Sequence, residues 1–556
     1  MKMRLRFIDT ITLLFALNAV ACSDRGQSRA AREVGGTLVI STTADPGTLF
    51  PPLVGNMQGK QISEQIYDYL ADVGPKMNTH GDQGFVPQLT DGWRWSADSL
   101  SISFHLNPRA RWHDGKSVSA RDVTFTFALN KNPSLAGSAM SELANIDSVT
   151  APDSLTAVFW FRAREPTQFL DAAAQMLILP AHQLENIAVD KLRERSPAPI
   201  GTGRFRLRRW DKGSSVEIVA DSANYRGRAK LDRVIWTITP EFTAALTRLF
   251  SGDADLFDGI RAENLPELRR HPNLHLVALP GTDYAFLQFN LRDPANNALP
   301  HPLFGDPALR RAIAMAVNRG ALVASVLDGF GAVALGPTTR AFPTTDPAIP
   351  QLPFDSLQAS RTLDSLGWRR SSPSALRERD GRPLAFTLLV PTSSVNRMKM
   401  AVQIQAQLRA QGIRVDLEPM ESNAMGARED AHKFDAALGD WHMGASPDGT
   451  RQAWSTSGIG KEGVNYGSYS NPLFDSQLDS ALEAPPERAR GAFTAAYTTI
   501  NKDVPALWLY EPKTVLGIDR RIKIPWLRPD AWWADLGEWY IPAAERISRD
   551  RLLLSR

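Results

Sequence analysis

A chain of 556 residues with a single cysteine, Cys22, can form neither an internal disulfide nor a CxxC pair. Apolar burial and hydrogen bonding alone must hold it folded. One core rarely serves so long a chain, so two or three domains are expected. The 43% hydrophobic and 22% charged content is that of an ordinary globular protein. A formal charge of +3, with no Lys/Arg run interleaved with aromatics, gives no nucleic-acid track.

The cysteine's position is informative. Lys2, Arg4 and Arg6 precede a largely apolar run, Phe7 to Ala21, interrupted by Asp9 and Asn18. That run is too short to span a membrane permanently and reads as an export signal, residues 1–21. Ala19-Val20-Ala21 immediately before Cys22 resembles the bacterial lipobox, although Ala19 stands where leucine is commonest. Cys22 is thus the expected lipidation site, and residues 22–35 a polar tether.

The segment Asp91–Leu129 carries the clearest local pattern. Ile102, Phe104 and Leu106 alternate with polar residues, as in a half-buried strand, and Asn107-Pro108 ends it. Asp114-Gly115 suits a tight turn, and Ser119 with Asp122 approximates a capping box. Val123, Phe125 and Phe127 fit either helix or strand. Trp112-His113-Asp114-Gly115-Lys116 followed by Val118-Ser119-Ala120-Arg121-Asp122-Val123 resembles the family 5 extracellular solute-binding proteins. These are the peptide- and nickel-binding components of bacterial ABC importers. The resemblance implies a helix after Ser119 and an α/β, periplasmic-binding-protein-like two-lobe clamp (class II) with an extra third domain.

Further along, Ala44-Asp45-Pro46, Ile200-Gly201-Thr202-Gly203 and Ser251-Gly252 through Asp255 match segments of the same family, and all have structural readings here. No Lys-Ser/Thr follows the glycine turn, so it is not a phosphate loop. Asp253 and Asp255 are read as solvated, because no third acidic or histidine ligand lies near. Helices are predicted over Gln61–Leu70, Glu241–Phe250, Pro307–Leu327, the Asp355-capped segment ending at Gly367, and Asn396–Gln411. LAFTLLV, that last helix and IRVDLEPM make a strand–helix–strand unit without a nucleotide fingerprint. The resemblance implies lobe I from residues 36–71, 197–278 and 505–556, an extra domain over 72–196, and a second lobe over 279–504. The lobes would be joined by crossings near Leu276–Tyr284 and Lys502–Leu507.

Catalytic signatures are absent: there is no HExxH, G-x-S-x-G or P-loop. His271 and His275 have ligand spacing, but Pro272 intervenes and a third ligand is missing. Neither metal nor cofactor is expected. The segment Phe434–Gly449, FDAALGDWHMGASPDG, resembles the family's cleft segment F-D-x-x-x-x-x-W. In peptide-binding members an aspartate three residues after that tryptophan pairs with the peptide's α-ammonium. Here Gly444 stands there, with Asp440 and Asp448 nearby. That departure leaves open a blocked peptide, another small solute, or a shifted anchor.

Trp441 is a cleft wall or a core residue, and an aromatic face suits either. Asp45, Tyr284 and Asn290 complete the expected ligand-binding set, and Trp526, Trp532, Trp533 and Trp539 suit packing or the cleft. The resemblance implies a monomeric, lipid-anchored, non-enzymatic receptor in the cell envelope. It would deliver a peptide or similar solute to ABC permease subunits driven by a separate ATPase. A sensor or adaptor on the same scaffold, or a secreted hydrolase, are the alternatives.

Overall fold

The computed structural model describes residues 35–551 except 136, 138, 195–197 and 461–462. The signal segment and Cys22 therefore lie outside the described residues. The first strand, β1 (Thr37–Thr42), is buried along its whole length. Helix α1 (Met57–Ile66) follows, capped by Asn56, whose side-chain oxygen accepts from the Gly59 amide. It begins earlier and ends earlier than the spacing predicts. Tyr67 and Leu70 are buried with Ile62 and Ile66, but the backbone leaves the helix at Tyr67.

Strands β2 (Thr90–Trp95), β3 (Ser101–Leu106), β4 (Ile146–Thr150) and β5 (Thr156–Phe161) form a separate four-stranded antiparallel sheet, order β2-β3-β5-β4. Ile102, Phe104 and Leu106 are fully buried, as their alternation predicts. Helix α2 (Ala120–Asn130) covers this sheet, and the Ser119 amide donates to Asp122 Oδ2 at 2.8 Å. The His113 ring clasps the glycine turn. It accepts from the Gly201 amide at Nδ1 (3.2 Å) and donates from Nε2 to the Gly203 carbonyl (2.9 Å). A Cβ at Gly201 or Gly203 would fall 1.8 Å from the Ile66 carbonyl or 2.3 Å from that of Gln65, so only glycine fits. The Trp-His-Asp-Gly turn is thus a strap between sheets.

Next come β6 (Phe205–Asp211), β7 (Ser215–Ala220), β8 (Arg233–Ile238), α3 (Phe242–Ser251, closed by left-handed Gly252) and β9 (Leu256–Phe257). Asp255, read as solvated, is instead completely buried. It accepts from the Val39 amide at 2.9 Å and from the guanidinium groups of Arg521 and Arg549. The sequence spacing showed two carboxylates but not the two arginines that arrive from the C-terminus.

Strands β10 (Leu274–Pro280) and β11 (Asp283–Phe289) lead into the second half. The predicted helix Pro307–Leu327 is two helices, α4 (Pro307–Ala316) and α5 (Arg319–Leu327). Asn318 breaks the run by capping the second, its side chain accepting from the Ala321 amide. Helix α6 (Ser356–Ser365) has the expected Asp355 cap. The strand–helix–strand unit is β12 (Ala385–Pro391), α7 (Val395–Ala410) and β13 (Arg414–Met420), with its two strands parallel. Then follow α8 (Ser422–Asp430), β14 (Ala436–His442), the antiparallel helices α9 (Pro472–Glu483) and α10 (Pro486–Asp503), and β15 (Ala506–Asp519).

These strands make one continuous path, β13-β12-β14-β11-β15-β9-β1-β8-β7-β6. Strand β15 carries the path across. Ala506–Tyr510 pairs with β11, and Lys513–Asp519 pairs with β10. The change of partner falls at Glu511-Pro512, after the Lys502–Leu507 crossing the sequence suggests. Glu511 is buried there and binds Arg340 Nη1 at 2.8 Å and the Arg340 amide at 3.0 Å.

Each half has its own apolar core. Leu38, Ile40, Trp236, Trp532, Trp533 and Trp539 belong to one; Leu287, Leu388, Ile404 and Leu408 belong to the other. A third core joins Phe104, Phe159 and Phe169 of the separate sheet to Met443, Trp454 and helix α10. Burying each large side chain contributes about 1.5–3 kcal/mol.

Candidate functional site

A cleft of about 950 Å³ opens where these parts meet. One wall is the Pro51–Glu64 segment with Tyr69 and Asp72. A second comes from the separate-sheet region, through Asn145, Glu165, Asp171 and Gln175. A third is the His442–Gly449 segment after β14, and Arg528 and Asp530 close the floor. Two of the walls follow from chain turns: α1 starts at its Asn56 cap, and β14 runs out at His442, where its backbone leaves the sheet.

The charges in the cleft are unevenly matched. Arg528 is only 4% exposed and is satisfied by Asp72 (3.1 Å), Asp530 (2.7 Å) and the Val73 carbonyl. Burial works against its charge, but those two carboxylates and Glu64 outweigh it and hold the proton more firmly than usual. Arg528 therefore stays a fixed cation. Glu64 accepts from Trp533 Nε1 (2.6 Å) and the Tyr69 hydroxyl (2.8 Å).

Glu165 and Asp171 are different. Among the described residues neither has a cation at ion-pairing distance, and Asp171 accepts only from Thr167 Oγ1 at 2.7 Å. Burial pushes Asp171 up to about 7; Thr167 opposes this, and Glu165, Asp448 and Glu142 add to it. Burial likewise raises Asp448, against the pull of Arg451 at 3.8 Å. His442, across the cleft, donates to Asp283 at 2.7 Å, and that bond raises its pKa.

The residues singled out from sequence separate into two groups. Gly444 lies in the cleft, with no atom within 4 Å of where a Cβ would stand. Trp441 and Asp440 line an adjoining pocket of about 270 Å³, where Asp440 is ion-paired to Arg397. The others are in neither. Tyr284 is fully buried and its hydroxyl accepts from Trp454 Nε1 at 2.8 Å. Asn290 is fully buried and donates to the carbonyls of His432 and Phe434. Asp45 accepts from the Gly213 amide at 2.7 Å and the Gly47 amide at 2.8 Å, fixing two turns. Trp532, Trp533 and Trp539 are core residues. His271 stacks on Phe250, and no group of metal-ligating side chains occurs among the described residues. Glu165, Asp171 and Arg528 carried no sequence signal, since they come from segments without a motif, whereas His442 lies inside the Phe434–Gly449 segment.

Comparison with known proteins agrees with this geometry. The family model described as bacterial extracellular solute-binding proteins, family 5 Middle, matches residues 84–462. The oligopeptide-binding protein AppA of Bacillus subtilis is 25% identical over 549 residues, which cover 96% of this chain and 98% of that protein. The peptide transport periplasmic protein SapA of Salmonella typhimurium is 27% identical over 476 residues, 80% of this chain and 81% of that one. The solved structure of Bacillus subtilis AppA with a nonapeptide has a TM-score of 0.69 at 24% identity, covering 92% of this chain and 99% of that one. The two-lobe clamp with an extra domain is therefore the fold, and the family is one of binding proteins, not enzymes. The chain belongs to the bacterial extracellular solute-binding proteins of family 5.

Proposed function

We propose that this chain is the peptide-capturing subunit of an ABC importer, exported, acylated at Cys22 and working as a monomer. The observation that carries the reading is the three-walled cleft, where Glu165 and Asp171 have no cation at ion-pairing distance among the described residues and Asp448 has only Arg451, at 3.8 Å. An α-ammonium entering there would supply the missing charge. These residues would serve as the anchor in place of the acid that Gly444 lacks, and the names of AppA and SapA support a peptide.

In this reading lobe I comprises residues 36–71, 197–278 and 505–556, the extra domain 72–196, and the second lobe 279–504. The hinge lies at Pro280–Asp283 and Tyr510–Lys513, where β15 changes partner. Ligand touching both lobes favours the closed form by its differential affinity. The closed form would then dock on permease subunits, with a separate ATPase supplying the energy.

Native mass spectrometry of the protein purified from its host, followed by small-angle scattering with and without the recovered ligand, tests this. The expected results are a copurifying peptide and a smaller radius of gyration when it is bound. A recovered non-peptide solute, or scattering unchanged at saturation, would overturn the proposal.

A further inference from the structure

The smaller pocket beside the cleft is built as a site in its own right. Its floor is Phe286 and Trp454, packed edge to face with centroids 5.1 Å apart, and Trp441 forms a wall. Gln288 projects from β11 on the same face as Phe286, and the residue is 3% exposed. Its side-chain amide has no hydrogen-bond partner among the described residues, yet it is not sealed off from the pocket it lines. An amide left so is costly unless something in the pocket completes it.

Glu429 of α8 lines the same pocket, and its carboxylate has neither an ion pair nor a hydrogen bond among the described residues. Arg397, the cation of this pocket, is already taken by Asp440. The pocket therefore presents one unmatched carboxylate, one unmatched amide and several π faces in about 270 Å³, room for a single side chain. Trp441 of this pocket and His442–Gly449 of the cleft are consecutive in the chain, and the Trp441 Nε1 lies 3.2 Å from where a Cβ on Gly449 would stand, so the two cavities are neighbours.

We propose that this pocket is a subsite of the second lobe for one basic side chain of the bound peptide, with Glu429 and the Gln288 carbonyl as acceptors and the aromatic walls around its stem. The inference rests on the peptide reading of the cleft. A cation over aromatic faces gains from both the ring quadrupoles and the carboxylate. Burial, with Asp430 and Asp440 adding and Arg397 opposing, raises Glu429 to about 7, and the Tyr466 hydroxyl is the remaining titratable neighbour. A basic guest would hold the carboxylate ionised, so its affinity should rise as pH climbs through that value.

The probes are penta-alanine and five derivatives carrying one arginine at successive positions, each paired with its citrulline counterpart, the uncharged isostere. Calorimetry on the full chain should show one position where arginine binds about tenfold tighter than citrulline. That preference should grow from pH 6 to pH 8. In Glu429→Gln the arginine peptide should fall to the level of its citrulline partner, and Gln288→Leu should weaken it as well.

Arginine and citrulline binding alike at every position, while penta-alanine binds, would overturn the subsite and leave the peptide reading standing. So would an arginine preference that survives in Glu429→Gln with no change between pH 6 and pH 8. Binding by none of the peptides would overturn both readings.

Discussion

Asp255 and Asp171 are both buried aspartates, and the protein treats them oppositely. Asp255 sits where β1, β9 and the C-terminal segment meet, and two arginines and a backbone amide satisfy it. Asp171, at the cleft, has a threonine hydroxyl and further carboxylates for company. A buried charge with complete partners holds segments together. One without them stores an unfavourable interaction that a ligand can relieve. The carboxylate of Asp255 is matched and that of Asp171 is not.

The sharpest way to break this contrast is Asp255→Ala. It leaves Arg549 without a carboxylate partner among the described residues and Arg521 with only Asp519 and Asp550, and is expected to cost about 3–5 kcal/mol in denaturant unfolding. A loss under about 1 kcal/mol would mean that the network contributes little. Next in size is Glu511→Ala at the crossing, where Arg340 and two backbone amides lose their acceptor. Its expected cost is about 2–3 kcal/mol.

Asp171→Asn should move stability the other way. The folded-state pKa of Asp171 is about 7, above its unfolded value, so the folded protein holds the proton more tightly. The wild type therefore loses stability as pH rises from about 4 to 7 and stays penalised above that. The uncharged amide removes the penalty, and a gain of about 2 kcal/mol at pH 8 with none at pH 4 is expected from pH-resolved melts. The same variant should bind cationic peptides more weakly.

The smallest stability effect belongs to Gly444→Asp, whose side chain enters open cleft space. Melting should change by less than about 0.5 kcal/mol, while peptides with a free amino terminus should bind more tightly than acetylated ones by about tenfold. Equal affinities would show that position 444 does not face the ligand's terminus.

Legibility in the sequence followed the range of the interactions. The capping box at Ser119, the Gly252 stop, the Asp355 cap and the β12–α7–β13 unit were readable because each signal lies within a few residues. The break between α4 and α5 was missed because the apolar stripe continues across Asn318, whose capping role outweighs it. The burial of Asp255 was missed because its partners lie 266 and 294 residues away. In the candidate site, the Phe434–Gly449 segment was visible as a motif. Glu165, Asp171, Arg528 and Gln288 were not, since nothing local distinguishes them.

The sequence by itself determined the family, the absence of disulfides, the local caps and turns, and the segment that borders the cleft. Those follow from side-chain chemistry at short separation and from ordered motifs. Only the tertiary structure decided which charges are matched. Pairing depends on which distant segments meet, and burial then sets whether an unmatched carboxylate is costly enough to await a ligand.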